Sequence, residues 1–314
     1  MPPETNIIQS GHLEVSRGHK LYFEDWGNPN GVPIIHLHGG PGASFSDTHK
    51  AIYDPARHHV LFHDQRGSGR SLPTGNLDHN TTQDLIADIN VLRRHLGFPD
   101  KAVIAGGSWG STLALLYAIA HPEQVARLFI WSIYLATKFE SDWVYEGAPR
   151  HHLPHEWASF LAAGQLKPGS STAEVITKYG ALINSTNQAT AQVAAMAWMR
   201  WEASLMSVEY DPVATTREIE ADSSILSSAK IQLHYFKQNS FIPEDFIIEH
   251  ISTIKHIPAH ITHGRFDYCT PASTAARLAD AYPGAILQFV NSGHRRSDPA
   301  MFAALQATAQ ELSV

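Results

Sequence analysis

The chain has a single cysteine, few charged residues and no long apolar run. Cys269 is the only cysteine among 314 residues, which excludes an intramolecular disulfide and a cysteine-based zinc site. Charged residues make up 17% of the chain and the formal net charge is −7, so the basic footprint of a nucleic-acid-binding protein is missing. The apolar runs are too short for a membrane span. We therefore expect neither a nucleic-acid nor a membrane partner.

The composition is otherwise typical of a globular protein, with 43% hydrophobic residues. The chain is long enough for one large domain, or for one domain with a second inserted into it. Its first residues show no basic segment followed by an apolar stretch, so we expect no secretory signal and a cytoplasmic location. We expect a monomer or a small homo-oligomer.

Short apolar segments alternate with helical patterns over the first 135 residues. HLEV and KLYFEDW alternate around residues 17–19 and predict a hairpin. In residues 80–97, leucine and isoleucine recur at helical spacing, Thr82 is a candidate cap and Gly97 a stop signal. Four runs have strand length without polar alternation, as in parallel strands covered on both faces: PIIHLH (33–38), HVLFH (59–63), KAVIA (101–105) and RLFIW (127–131). The alternation predicts an α/β protein with a mostly parallel central sheet flanked by helices.

The pattern changes near residue 135. Helical periodicity dominates to about residue 245, most clearly at 189–206. Strand-like runs return at AHITH (259–263) and ILQFV (286–290), with helical patterns at 274–282 and from about Pro299. We therefore predict a core formed by residues 1–135 and 246–314, with a helical cap (lid) domain inserted at 136–245.

The segment GGSWG (106–110) lies between the predicted strand KAVIA and an apolar helix at 111–122. It fits G-x-S-x-G, in which a sharp strand-to-helix turn exposes a serine hydroxyl as a nucleophile. A plain tight turn is the alternative, although a turn alone needs fewer glycines. The context favours Ser108 as a catalytic nucleophile.

A serine nucleophile needs a base and a group that orients the base. In this type of fold the chain order is Ser, then Asp or Glu, then His. Asp267 follows AHITH and His294 follows ILQFV, so both lie at predicted carboxyl ends of strands. Most of the 20 histidines must be ordinary surface or core residues, and a loop aspartate is usually a turn former. Order and position together favour Asp267 and His294 over other pairs.

HGGPG (38–42) follows the predicted strand PIIHLH. Glycines allow backbone N–H groups to approach a developing oxyanion. We predict an oxyanion hole formed by the N–H groups of Gly40 and Trp109, although an ordinary Gly/Pro loop has the same composition.

These motifs together resemble the proline iminopeptidases (prolyl aminopeptidases) of the α/β-hydrolase superfamily. The resemblance runs from about residue 12 to the end and rests on HGGPG, DQRGSGRS (64–71), NTTQDLIADINVLR (80–93), GGSWGSTLAL (106–115), GRFDYCTP (264–271) and SGH (292–294). It implies an α/β-hydrolase fold with a helical cap. It also implies a serine aminopeptidase, free of metal and cofactor, that releases N-terminal proline from small peptides.

The resemblance also implies a substrate pocket. Its Trp-x-x-Trp-Glu motif matches residues 198–202, which makes Glu202 the candidate for binding the substrate ammonium. The same comparison places Tyr134, Phe236 and Trp201 at the pocket, although a tryptophan pair on a helix can also simply pack a cap. Cys269, two residues after Asp267, is a further candidate to line the site.

Two departures from the family pattern fall at this pocket. Gln232 stands where the family usually has a second acid, so one of two ammonium anchors is expected to be weakened. Val144 stands where an aromatic residue is common. A broad-specificity esterase or amidase without strict proline selectivity therefore remains an alternative, and a catalytically silent binding protein on the same fold is another. The intact Ser108, Asp267 and His294 argue against the silent protein.

Overall fold

A single eight-stranded sheet organises the protein in a computed structural model, which describes residues 6–313. The strands are β1 (Ile7–Glu14), β2 (Lys20–Gly27), β3 (Val32–Leu37), β4 (His58–His63), β5 (Ala102–Ser108), β6 (Val125–Ile133), β7 (Ala259–Gly264) and β8 (Ala285–Val290). Their order is β1-β2-β4-β3-β5-β6-β7-β8. β2 pairs antiparallel with β1 and with β4, and all other neighbours are parallel. The predicted mostly parallel sheet is confirmed.

Helices cover both faces of the sheet and follow its strands in alternation. They are α1 (Asp47–Lys50), α2 (Thr82–Leu96), α3 (Trp109–Ala120), α4 (Lys138–Glu146), α5 (Pro149–His152), α6 (Pro154–Ala163), α7 (Thr172–Ile183), α8 (Gln188–Leu205), α9 (Pro212–Ala221), α10 (Ile225–Lys237), α11 (Phe246–His250), α12 (Ala272–Ala281) and α13 (Pro299–Gln310). The central strands are buried along almost their whole length because helices pack on both sides. No helix within residues 6–313 has the length and apolar character needed to cross a bilayer.

Helix α2 shows how local sequence signals fix a boundary. Gly97 ends the helix in a left-handed conformation with φ 59°, as its position predicts. The expected cap at Thr82 is wrong by one residue, because Thr81 is the N-cap. The Thr81 hydroxyl accepts from the Asp84 N–H, while the Asp84 carboxylate accepts from the Thr81 N–H at 3.1 Å. This reciprocal pair satisfies two N–H groups that the helix leaves open.

Helices α4 to α10 lie between β6 and β7, and most of them contribute to a separate apolar cluster. The cluster is mostly aromatic and aliphatic and includes Tyr145, Trp157, Phe160, Tyr179 and Trp198. These helices fall within the stretch predicted as a cap, and the exact bounds at residues 136 and 245 stay a prediction.

The parallel strands bring four chain segments to one edge of the sheet. β3 ends just before Gly39, β5 ends at Ser108, β7 ends shortly before Asp267 and β8 ends shortly before His294. Because carboxyl ends of parallel strands meet at the same edge, this edge is the expected place for a site.

Candidate active site

Ser108 lies at the junction of β5 and α3 with φ 57° and ψ −127°. This conformation is strained for a residue with a side chain. The glycines around Ser108 are required because the neighbouring atoms leave no space for a Cβ. A Cβ on Gly107 would stand 2.0 Å from Nε1 of Trp131, and one on Gly110 would stand 2.1 Å from the carbonyl oxygen of Leu37. The glycines allow the strand and the helix to approach their neighbours closely while the serine faces the cleft.

The side chains of Asp267 and His294 form a direct hydrogen bond. Nδ1 of His294 lies 2.7 Å from Oδ2 of Asp267, and both residues are buried. Because a carboxylate only accepts, the proton lies on Nδ1 and Nε2 of the neutral ring is left as an acceptor. Nε2 has no hydrogen-bond partner within residues 6–313 and lines the same cleft as Ser108. The ring is therefore free to take a proton from a group in the cleft.

Asp267 is held by its own turn. Its Oδ1 accepts from the backbone N–H groups of Cys269 and Thr270 at 2.9 and 2.8 Å. The Thr270 hydroxyl donates to Oδ2 at 3.0 Å. The sequence prediction did not include Thr270, although a threonine three residues after an aspartate is a recognisable turn signal.

The charges of Asp267 and His294 shift each other's pKa. Burial alone disfavours the charged form of Asp267, yet the neighbouring His294, with its hydrogen bond, holds the pKa of this carboxyl below its ordinary value. Burial likewise opposes protonation of His294, but the Asp267 charge and hydrogen bond raise the pKa of the imidazole above its ordinary value. The pair thus favours carboxylate and imidazolium together.

A second histidine stands near Asp267 and stays neutral. Nδ1 of His263 accepts from the Ile133 N–H at 2.9 Å, so its proton lies on Nε2, which donates to the Thr270 carbonyl at 3.0 Å. Burial lowers the pKa of His263. His263 therefore fixes the strand ends around the aspartate without competing as a cation.

The glycine loop after β3 faces Ser108. Gly40 has φ 119° and lines the cleft with Ser108 and His294. Trp109 begins α3 directly after Ser108, and its indole donates to the side-chain oxygen of Gln65 at 2.9 Å. The backbone N–H groups of Gly40 and Trp109 thus belong to the two segments that flank the serine, one of them a helix N-terminus, where partial positive charge favours an anion.

Glu202 on α8 is buried, with 7% of its surface exposed. Gln232 on α10 donates from Nε2 to Oε1 of Glu202 at 2.6 Å. The oxygen of Gln232 accepts from the indole of Trp198. An indole can only donate, so the amide of Gln232 has one orientation, with its NH₂ group toward Glu202. Gln232 therefore positions the carboxylate in this structure. Burial raises the pKa of Glu202 to about 7, while the Gln232 hydrogen bond opposes that rise.

Glu202 and Ser108 line one small cavity. Of the predicted pocket residues, Tyr134, Phe236 and Cys269 also line it, and so does Val144. The structure adds four residues that the sequence prediction did not include: Glu140, Ser141, Tyr145 and Thr270. Glu140 belongs to a Thr-x-x-Glu capping signal at the start of α4 and accepts from the Leu135 and Thr137 N–H groups. Burial raises the pKa of Glu140 to about 7.

The structure does not bring Trp201 to either cavity at Ser108. Its ring packs in the cap cluster, 5.0 Å from the ring of Trp157, and lines a separate cavity between α6, α8 and α9. Trp198 and Glu202 are four residues apart and share one face of α8, whereas Trp201 is turned by about 100° from Glu202.

Cys269 lines both the small cavity and the larger cleft. Burial, followed by the nearby Asp267 charge, raises the pKa of its thiol well above the ordinary value. At neutral pH the side chain is therefore a neutral thiol, which is a poor nucleophile.

Comparisons with known proteins agree with this geometry. Residues 32–295 match the family model described as the alpha/beta hydrolase fold. A proline iminopeptidase of Neisseria meningitidis serogroup A is 38% identical over 308 residues, which cover 97% of this chain and 96% of that protein. One from Arabidopsis thaliana is 38% identical over 300 residues, covering 94% and 77%. The solved structure of a proline iminopeptidase from Mycobacterium smegmatis aligns with a TM-score of 0.61 at 19% identity, covering 96% of this chain and 98% of that one.

The last likeness establishes only the fold, whereas the sequence relatives match over nearly the whole chain at a level that defines a family. The chain is thus a hydrolase of the α/β-hydrolase fold and belongs to the proline iminopeptidase family.

Proposed function

We propose that this protein is a serine aminopeptidase that removes an N-terminal proline, or a similarly small residue, from short peptides. The observation that carries the proposal is the small cavity that Ser108 shares with the buried carboxylate of Glu202. A serine beside a buried acid suits a substrate whose free ammonium lies next to the scissile carbonyl. A charge-assisted bond between Glu202 and that ammonium would fix the first residue over Ser108.

In this mechanism Ser108 Oγ attacks the carbonyl carbon of the first residue, and Nε2 of His294 takes the hydroxyl proton. Asp267 stabilises the resulting imidazolium, and the N–H groups of Gly40 and Trp109 bind the oxyanion. His294 then gives its proton to the leaving amine, which departs as the shortened peptide. A water molecule, deprotonated by His294, hydrolyses the acyl-enzyme and releases the free amino acid. The free Nε2 position and the Asp267 hydrogen bond support these roles.

The lining of the cavity supports selectivity for a small ring. Aromatic side chains of Tyr134, Tyr145 and Phe236 form much of its wall. Flat apolar faces pack well against a pyrrolidine ring and leave its nitrogen free to meet Glu202. A second candidate is an esterase or amidase without amine selectivity, which the uncharged Gln232 favours.

The test compares release of p-nitroaniline from proline, alanine and N-acetylproline p-nitroanilides by the wild-type protein, Ser108→Ala and Glu202→Gln. We expect the free proline substrate to be cleaved fastest, with cleavage lost in Ser108→Ala and reduced about 10- to 100-fold in kcat/KM by Glu202→Gln. Equal or faster cleavage of the acetylated substrate would contradict amine recognition and favour the second candidate.

A further inference from the structure

Two histidines and an arginine are among the side chains that line the cleft containing Ser108 and His294. They are His36 near the end of β3, His49 in α1 and Arg296 two residues after His294. We call the part of the cleft that these three side chains line the donor chamber. The rings of His36 and His49 lie 5.1 Å apart. Arg296 reaches the residue before His49, since its guanidinium donates to the carbonyl and the hydroxyl of Thr48. The chamber is part of a cleft of about 540 Å³.

Arg296 is half-buried and lacks an acidic partner. Within residues 6–313 no carboxylate oxygen lies within 4.0 Å of its guanidinium nitrogens. By contrast, the buried guanidinium group of Arg66 is paired with Asp88 at 2.6 Å. Burial lowers the pKa of Arg296 to about 10, with only Tyr53 opposing it. A cation withdrawn from water without a counter-charge is unfavourable, and an anionic ligand would relieve that cost.

His36 presents a buried donor that also lacks a partner. Its Nδ1 lies 2.9 Å from the hydroxyl of Tyr53, which has no other acceptor within the described residues, so Tyr53 donates and the ring proton lies on Nε2. His36 is 1% exposed, and its Nε2 has no partner within residues 6–313. An unsatisfied buried donor that faces a cleft is a position for a ligand oxygen.

His49 adds a third donor. Its Nδ1 accepts from the Ser46 N–H at 3.0 Å, which leaves the proton on Nε2. Burial, with the Arg296 charge adding to it, lowers the pKa of His49 to about 2, so the ring is neutral. Burial also lowers the pKa of His36 well below its ordinary value. The chamber therefore offers one positive charge and two neutral N–H groups, which suits a monoanion such as a carboxylate.

The donor chamber lies outside the small cavity. Ser108, Gly40, Cys269 and Glu202 line both spaces, whereas His36, His49 and Arg296 line only the larger cleft. With the first residue of a peptide in the small cavity, the chain beyond the scissile bond leaves Ser108 through the larger cleft. The donor chamber then lies on the side of the leaving group.

We propose that the donor chamber binds a carboxylate of the leaving peptide, so that the enzyme prefers short peptides with an anionic group close to the scissile bond. The proposal rests on the proposed function and names its substrate class more closely. A dipeptide or tripeptide is a zwitterion whose ammonium meets Glu202 and whose carboxylate meets Arg296. The carboxylate can come from the peptide C-terminus or from an acidic second residue.

The experiment measures kcat/KM for matched substrate pairs by following release of free proline. The pairs are Pro-Gly and Pro-Gly-NH₂, Pro-Gly-Gly and Pro-Gly-Gly-NH₂, and Pro-Asp-NH₂ and Pro-Asn-NH₂. We expect the anionic member of at least one pair to be favoured about 10- to 100-fold, as for a hydrogen bond to a charged group. Preference within the first two pairs identifies the C-terminal carboxylate, and preference within the last pair identifies the side chain.

Variants assign the effect to the chamber. Arg296→Met should bring the ratio within the favoured pair close to one, and Arg296→Lys should restore part of it because the charge returns without the planar fork. Arg94→Met, at an exposed position on α2, should keep the wild-type ratio. A ratio of two kcat/KM values measured on the same variant does not change when part of the enzyme is unfolded, because both values fall by the same factor. Equal rates in all pairs for the wild type, or a ratio unchanged in Arg296→Met, would overturn the proposal.

Proline p-nitroanilide, which has no carboxylate, separates this proposal from the proposed function. Cleavage of the anilide together with equal rates in every pair would overturn only the role of the donor chamber. No release from the anilide or from any peptide would overturn the aminopeptidase assignment itself.

Discussion

The backbone N–H of His294 donates a 2.7 Å hydrogen bond to the carbonyl oxygen of Met206. The same carbonyl accepts from the Arg295 N–H at 2.9 Å. Met206 is the C-terminal cap of α8, the helix that carries Glu202. The proposed ammonium anchor and the proposed base are therefore joined through one helix end. A displacement of α8 would move the backbone of His294 as well as the carboxylate of Glu202.

The pH dependence of activity should show that both His294 and Glu202 must be deprotonated. Neutral His294 is needed as a base, and its pKa is raised, so kcat/KM should fall as the pH drops through a value above 6.5. Glu202, with a pKa of about 7, loses its charge over the same range. For proline p-nitroanilide we expect two protons to be taken up on the acid limb, and for p-nitrophenyl acetate, which has no amine, only one. Glu202→Gln should reduce the first profile to one proton, and identical limbs for both substrates in the wild type would contradict the assignment.

Glu202→Gln should stabilise the fold at alkaline pH. The folded state raises the pKa of Glu202 from 4.5 to about 7, so this group's contribution to stability is present below pH 4.5 and is lost as the pH rises to about 7. Removing the ionisable group should raise the free energy of unfolding by up to about 3 kcal/mol at pH 8, and by little at pH 4.5. Denaturant unfolding at both pH values measures the difference. Glu220→Gln, at an exposed site on α9, is the matched control, and a gain of equal size at both pH values would exclude the titration of Glu202 as its cause.

Gln232→Met should weaken recognition of the free amine. The substitution keeps the volume of the side chain but removes the donor to Glu202 and the acceptor for Trp198. We expect kcat/KM for proline p-nitroanilide to fall about 10-fold or more, mainly through KM, since a hydrogen bond to a charged group is lost. Cleavage of p-nitrophenyl acetate should change little. Gln238→Met, exposed just after α10, serves as the control. An equal loss on both substrates would instead indicate general damage to the site.

Three glycine-to-alanine substitutions should differ in sign. Gly107→Ala forces a Cβ to within 2.0 Å of Trp131, and Gly110→Ala forces one to within 2.1 Å of a backbone oxygen. Both should destabilise the fold by about 3 kcal/mol or more, as strong overpacking does. Adding Trp131→Phe should relieve part of the first effect and none of the second, since a backbone atom has no smaller replacement. Gly180→Ala, in open space within α7, should stabilise by about 0.5–1 kcal/mol. Thermal melting of the three single variants, and of Gly107→Ala and Gly110→Ala each combined with Trp131→Phe, tests the predicted order of stabilities.

Local patterns predicted the elements that carry the site. The apolar runs preceding Ser108, Asp267 and His294 form β5, β7 and β8. β5 and β7 are mostly buried, and buried parallel strands need continuous apolar sequence, whereas β8 is a partly exposed edge strand. The glycines around Ser108 were informative because the turn leaves no space for a Cβ. The strands and the strand-to-helix turn at Ser108 depend on short segments of the chain. The order Ser, Asp, His can be read directly along the sequence. All of these features are therefore visible in a single sequence.

Contacts between distant segments could not be predicted in this way. The bond between Gln232 and Glu202 joins α10 to α8, and its direction depends on Trp198, so the amide's role as a donor emerges only from the packed helices. The absence of an acidic partner for Arg296 within residues 6–313 is likewise a property of the assembled cleft. The Trp-x-x-Trp-Glu motif predicts Trp201 at the pocket together with Glu202, but consecutive residues on a helix face different directions.

The parallel pairing of β6 with β7 has a consequence for how the chain folds. Leu128 pairs with Ala259, so these adjacent strands meet only after the long helical segment between them has been synthesised and its ends brought together. Such non-local pairing slows folding, because loop-closure entropy is lost before the contact forms. The same entropy grows only with the logarithm of loop length, by about 0.6 kcal/mol per doubling. Insertions or exchanges within the helical segment therefore change the loop-closure entropy little. The sheet can keep its register while the sequence of this helical segment diverges.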